Sequence, residues 1–233
     1  MIARYQTLRV VCALAVVLCV TSVEASSFYP ISSITSSTSA TDLFPVGNLI
    51  QGPGVGFDAS VPHDQLTNPD FAGSRWVTDA PGGFPADYIA IAGMPVLTLD
   101  LGQNRLLSEI SIWGYASDNA NGVSAFSLRF ATDADGLGGF GTSIAFNPTY
   151  FPAIGDIVRQ SFSFGQSFSD RYVEFTAVDN FFSNGGFGPP PGGDRVGLGE
   201  IAFQAVPEPS TWFLMATGLI GVFGYGWRRR RTA

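Results

Sequence analysis

An all-β fold, an antiparallel β-sandwich or jelly roll, is predicted for the middle of this chain, and three observations predict it. Apolar and polar residues alternate at period two in one run after another. Clusters of Gly and Pro separate the runs: Gly52 to Gly56, Pro81 to Pro85, Gly136 to Gly141 and Gly185 to Gly193. Between the two ends of the chain, no stretch shows a convincing 3.6-residue period and no segment repeats.

The elements follow in order. Ser32 to Thr41, rich in Ser and Thr, reads either as a loose leader or as the first edge strand. Tyr88 to Ala92 alternates and reads as a further strand. Leu97, Leu99 and Leu101 share one face against Val96, Thr98 and Asp100, and Ile110 and Ile112 follow in the next run. Phe126, Leu128 and Phe130 alternate with Ser127, Arg129 and Ala131; Phe162 and Phe164 alternate with Ser161 and Ser163. Val173, Phe175 and Ala177 oppose Tyr172, Glu174 and Thr176, and Ile201, Phe203 and Ala205 close the set. Many of the 20 phenylalanines stand at such positions, and their large buried area helps a domain without disulfides.

Two apolar segments flank this region. Arg4 and Arg9 lead into Val10 to Val20, and Val23-Glu24-Ala25 is a small-x-small cleavage site. Residues 1–25 therefore read as a signal peptide cut between Ala25 and Ser26. Both cysteines, Cys12 and Cys19, lie inside it, and Leu18 stands where a lipoprotein box carries a small residue. The mature chain is then without thiols, which excludes disulfides, thiolate catalysis and thiolate metal sites. At the other end, Pro207, Glu208 and Pro209 form a rigid turn that a helix interior does not accept. Ser210 suits an N-cap, and Thr211 to Trp227 is an apolar run of about 17 residues, roughly 25 Å as a transmembrane helix. Trp212 and Trp227 mark its two interfaces, and Arg228, Arg229, Arg230 and Arg231 hold the end in the cytoplasm. Gly218, Gly221 and Gly224 fall three apart, either as ordinary small residues of a span or as a face for close helix packing.

This tail, with Pro207-Glu208-Pro209, the span and the arginine cluster in that order, resembles the PEP-CTERM sorting signal of Gram-negative bacteria. The resemblance, over residues 206–231, implies export across the inner membrane, cleavage by signal peptidase and recognition by an exosortase. It also implies transient anchoring in the membrane and delivery to the cell surface or an exopolysaccharide matrix. A permanent single-span anchor is the alternative.

Residues 26–205 form one domain of 180 residues, long enough to bury a core. They hold 17 acidic and 6 basic residues, a net charge of −11, and every basic residue is Arg. Such a surface repels nucleic acid and anionic membranes; it suits divalent cations or neutral polysaccharide, or is simply the acidic surface common among secreted bacterial proteins. With His63 as the sole histidine and no lysine, most nucleophile–base pairs are out of reach, and no Gly-x-Ser-x-Gly elbow or phosphate-cradling loop occurs. A carboxylate pair for glycoside hydrolysis is open in principle, but nothing singles one out. The domain is expected not to be an enzyme.

A second resemblance runs from Asn48 to Phe203. Val96-Leu97-Thr98-Leu99-Asp100-Leu101-Gly102 and Leu107-Ser108-Glu109-Ile110-Ser111-Ile112-Trp113-Gly114-Tyr115 are similar to the centre of galactose-binding-like domains of the discoidin type. Asn48-Leu49-Ile50-Gln51-Gly52 before Trp76, Phe126 to Gly136, Arg171 to Phe175 and Gly199 to Phe203 match further strands in the expected order. The chain departs from the family at Gln51-Gly52, where Asp-Gly is frequent, and in a long insertion before Trp76. The resemblance implies a jelly roll with glycan-binding loops at one end and a structural calcium ion held by six to eight oxygens. Glu200 matches a ligand position, with Asp58 or Asp64 as partner. Asp133-Ala134-Asp135-Gly136 looks like a fragment of a calcium loop, but a hairpin turn explains it better. Candidate sugar contacts are His63, Tyr88, Trp113, Phe181, Phe182, Asn184 and Arg195, with core packing as the competing role for the aromatics. Three functions compete: a glycan-binding surface or matrix protein, a structural biofilm-matrix component without a specific ligand, and a carbohydrate-active hydrolase.

Overall fold

The computed structural model describes residues 28–38, 44–50, 75–115, 121–149, 159–181 and 193–205. The proposed signal peptide with its Ala25–Ser26 junction, the motif Pro207-Glu208-Pro209, the span 211–227 and Arg228 to Arg231 lie outside these residues. So do Asp58, His63, Asp64, Phe182 and Asn184. Among the described residues no helix is long and apolar enough to cross a membrane.

Antiparallel strands build the domain, as the alternation predicts. They are β1 (Ser33–Ser36), β2 (Trp76–Val77), β3 (Val96–Trp113), β4 (Val123–Ala131), β5 (Ile144–Phe146), β6 (Arg159–Asn180), β7 (Gly197–Leu198) and β8 (Glu200–Phe203). The order is β1-β3-β6-β4-β5, β8 pairs with β3, and β2 and β7 form a separate ribbon. The Ser/Thr-rich stretch resolves in favour of an edge strand, with Ser33 opposite Asp100 and Ser36 opposite Leu97.

β3 and β6 are too long to lie in one layer. Phe162 and Phe175 are 13 residues apart on β6, roughly 43 Å along a straight strand. Yet both rings meet Phe126, at centroid distances of 5.3 and 4.7 Å. β6 must therefore double back. The bend falls at Gly165 (φ +72°), and the register with β3 shifts between Asp100 and Arg105, beside Gly102 (φ +76°). Only Gly enters that left-handed region without steric cost. The far halves of β3 and β6 join β1, β4 and β5 in one sheet; the near halves join β8 in a second, facing sheet.

The core lies between the sheets. Leu97, Leu99, Leu101, Ile110, Ile112, Phe126, Leu128, Val173, Phe175, Ile201 and Phe203 are almost wholly buried there, the positions the period-two reading assigns inward. Trp113 points to the other side of the smaller sheet, where Phe28 covers it edge-on at 6.3 Å with Ala202 beside it. Phe28 also bridges Gln204, so the first and last described segments run side by side.

Tyr88 to Ala92 is a short helix, α1, and not the strand that its alternation suggests. The ends decide. The Asp87 carboxylate accepts from the Ile89 and Ala90 backbone N–H groups, and Gly93 closes the last turn.

Candidate functional site

The sandwich has two ends. One is the corner where β3 and β6 bend. At the other, β3 and β6 finish, β4 begins and the β2–β7 ribbon packs.

The corner end is closed by ion pairs. Arg171 donates from Nε and Nη2 to the two carboxylate oxygens of Asp100, both at 2.8 Å, and from Nη1 to Asp133 at 2.6 Å. Its guanidinium lies 4.8 Å from the Tyr172 ring centroid. Arg171 holds the Asp100 carboxyl below the usual carboxylate range. Asp135 accepts from the Thr132 hydroxyl at 2.6 Å, and the Asp133 N–H donates to Asn104. The Asp133-to-Gly136 run is therefore a turn whose carboxylates are engaged within the protein, as the hairpin reading expects.

The opposite end is built on rings and glycine. Tyr115, just beyond β3, is half-buried. The Arg75 guanidinium stacks on its ring at 5.4 Å, and Phe44 meets it edge-on at 6.4 Å. Below lies Gly197: a Cβ there would stand 2.7 Å from Tyr115 Cδ2 and 2.8 Å from the Trp76 carbonyl oxygen. The ring thus rests directly on backbone. Burial raises the Tyr115 phenol pKa, opposed by the charges of Arg75 and Arg195, while Asp194 pushes it further up. Burial also lowers the Arg75 guanidinium.

Hydrogen bonds hold the surrounding loops. The Asn180 amide donates to the carbonyls of Gly193 and Arg195. Phe181 N–H donates to Gly122 O at 2.8 Å, and Gly197 N–H to Asn121 O at 2.9 Å. Arg195 Nη1 donates to Thr78 O at 3.0 Å. The Asn48 amide donates to Arg75 O at 2.8 Å, fixing the backbone under the stacked guanidinium.

Of the candidates read from the sequence, Phe181 and Arg195 fall in this cluster. Tyr88 does not serve as an exposed platform: it is 4 % exposed and belongs to the core, because α1 turns its ring inward. Trp113 is likewise buried, under Phe28. Glu200 is fully buried and pairs across the sheet with Trp113, so it is not an exposed carboxylate at a strand end. Among the described residues no three acidic, His or Cys side chains could hold a metal ion together. Glu200 by itself does not make a calcium site. Phe44, Arg75 and Tyr115 went unnoticed as a group because sequence separations of 31 and 40 residues leave no local signature.

These features define an antiparallel β-sandwich with an aromatic and polar loop end, joined to a C-terminal segment with the marks of a sorting signal. That segment carries the PEP-CTERM protein-sorting motif, which matches residues 205–231. No curated protein matches the chain. Similar solved structures include three modules from Clostridium perfringens. CBM32-3 of a family 31 glycoside hydrolase has 14 % identity and a TM-score of 0.49, covering 78 % of this chain and 94 % of that one. CpGH89CBM32-5, solved with GalNAc-β-1,3-galactose, has 14 % identity and a TM-score of 0.47, covering 77 % and 100 %. The family 32 module of NanJ, solved with galactose, has 15 % identity and a TM-score of 0.45, covering 76 % and 97 %.

Proposed function

We propose that this is an exosortase-sorted surface or exopolysaccharide-matrix protein of a Gram-negative bacterium, whose sandwich binds glycan without catalysis at the loop end around Tyr115. One observation carries the proposal. A half-exposed ring is pre-positioned by the Gly197 backbone, the stacked Arg75 and Phe44, and polar Arg195 lies near it. With Arg75 and Gly197 engaging its faces, the ring offers a sugar its exposed edge and its phenol, with fixed hydrogen-bonding groups around them. Phe181 and Arg195 supply further contacts in this reading; the sequence candidates Phe182, Asn184 and His63 lie outside the described residues. A calcium ion on Glu200, Asp58 and Asp64 belongs to the proposal on the strength of the sequence resemblance.

The test is a glycan array probed with the mature protein, with calcium and with chelator. Saturable binding to one sugar class, weakened by Tyr115→Ala, supports the proposal, and its loss with chelator supports the ion. The second reading, a structural matrix component without a specific ligand, draws on the burial of Trp76, Trp113 and Tyr88, large rings committed to packing. Featureless profiles from folded protein would favour it.

A further inference from the structure

The strand that leads into the sorting motif is held from both sides. On one side β8 pairs with β3, from Glu200 opposite Trp113 to Phe203 opposite Ile110. On the other, the Tyr29 N–H donates to Phe203 O at 2.9 Å and Phe28 bridges Gln204. The motif match starts at residue 205, directly after Gln204, so no spacer separates the fold from the motif.

Phe28 seats this N-terminal segment. It is 2 % exposed, meets Trp113 edge-on and lies under the Arg159 guanidinium at 5.6 Å. With Trp113 and Ala202 it forms a small cluster of its own, apart from the core between the sheets. Such a cluster can open locally while the sheets stay packed. An enzyme that processes a chain needs several residues extended and free in its cleft, and residues held in a sheet are reached through their open form.

Resting on the sorting half of the reading above and not on its glycan half, we propose that Phe28 and Tyr29 form a latch on the end of β8, and that opening of the latch sets how fast the sorting enzyme processes the adjoining motif. With the latch shut, Phe203 and Gln204 stay in the sheet and the enzyme meets the motif hard against the folded sandwich. With it open, these residues leave the sheet and extend the motif on its N-terminal side.

The experiment follows removal of the tail from the full chain in membranes with and without the sorting enzyme. Phe28→Cys with Gln204→Cys sets a disulfide across the bridge, where antiparallel partners stand about 4.5–5.5 Å apart at Cα. Reductant then opens the latch on demand, and the parent chain at the same reductant corrects for any effect on the enzyme. The reduced pair should be processed about tenfold faster than the oxidised pair. A second variant carries about eight Gly and Ser residues between Gln204 and Ala205. It leaves the latch contacts untouched, should be processed faster than the parent and should ignore the state of the disulfide when the two are combined. Equal rates for oxidised and reduced pairs without the spacer, or a disulfide effect that survives the spacer, would overturn the inference and leave the sorting reading standing. Processing of no variant, or equal processing without the enzyme, would remove the sorting reading and the latch with it.

Discussion

The two ends of the sandwich solve the problem of a strand terminus in opposite ways. At the corner the chain bends tightly around Arg171, which is shared between two aspartates, while the Asp170 carboxyl is raised by burial and by Asp135. At the loop end the turns rest on glycine backbone and an arginine is laid on a tyrosine. A closed electrostatic network has little left to offer a ligand. A supported, half-exposed ring beside Arg75, Arg195 and Asp194 has more. In the reading proposed above, the corner is built for shape and the loop end for contact.

Both ends hang on one core, so the largest effect should fall on both together. Phe126→Ala removes the ring that joins Phe162 in one sheet to Phe175 in the other. It should cost about 3–5 kcal/mol, read by chemical denaturation as a single shifted transition. Separate transitions for the two ends would break the comparison. Next, Gly197→Ala drives a methyl into the Tyr115 ring and should cost about 1–3 kcal/mol while weakening glycan binding. Tyr115→Ala should lower glycan affinity about tenfold, by titration calorimetry.

The corner responds to pH instead. Arg171→Met should have only a small effect on stability near neutrality, since the group is solvent-accessible. Because the Asp100 pKa is lowered in the fold, its stabilising effect is present at neutral pH and is lost as pH falls through that lowered range. Melting curves of Arg171→Met should therefore be less acid-sensitive than those of the parent. Asp170 works in the other direction: burial raises its carboxyl, so acid relieves its cost, and Asp170→Asn should stabilise at neutral pH. The smallest effect is spectroscopic. Tyr115 should ionise above ordinary tyrosine, and Arg75→Met should push it higher by removing the opposing charge. A phenolate titration of parent and variant would show an unmoved curve if the stack were absent.

The strands were legible because period-two alternation reports burial directly. Leu97, Phe126 and Phe175 point inward for the reason the pattern gives. The bends were harder to see, although both fall at a Gly-Gln pair, Gly102-Gln103 and Gly165-Gln166, between alternating apolar and polar residues. Without the fold, nothing says that these glycines take positive φ and turn a strand into the facing sheet. Tyr88 misled because five alternating residues suit either a strand or a helix turn, and the Asp87 cap settles it. At the candidate site, Arg195 and Phe181 could be found as polar and aromatic residues beside a Gly- and Pro-rich loop. The Arg75–Tyr115–Phe44 stack could not, since it joins three distant segments through space.

The bridge between Phe28 and Gln204 has a mechanical meaning. β8 runs from the loop end at Glu200 towards the corner, and the chain then leaves through Ala205 into the sorting segment. A tether pulling on that segment, against a ligand gripped at the loop end, loads β8 along its own axis. Its hydrogen bonds to β3 lie across that axis, so they resist together in shear and do not peel one at a time. Phe28 braces the same strand from its outer side. The last strand is placed to carry tension.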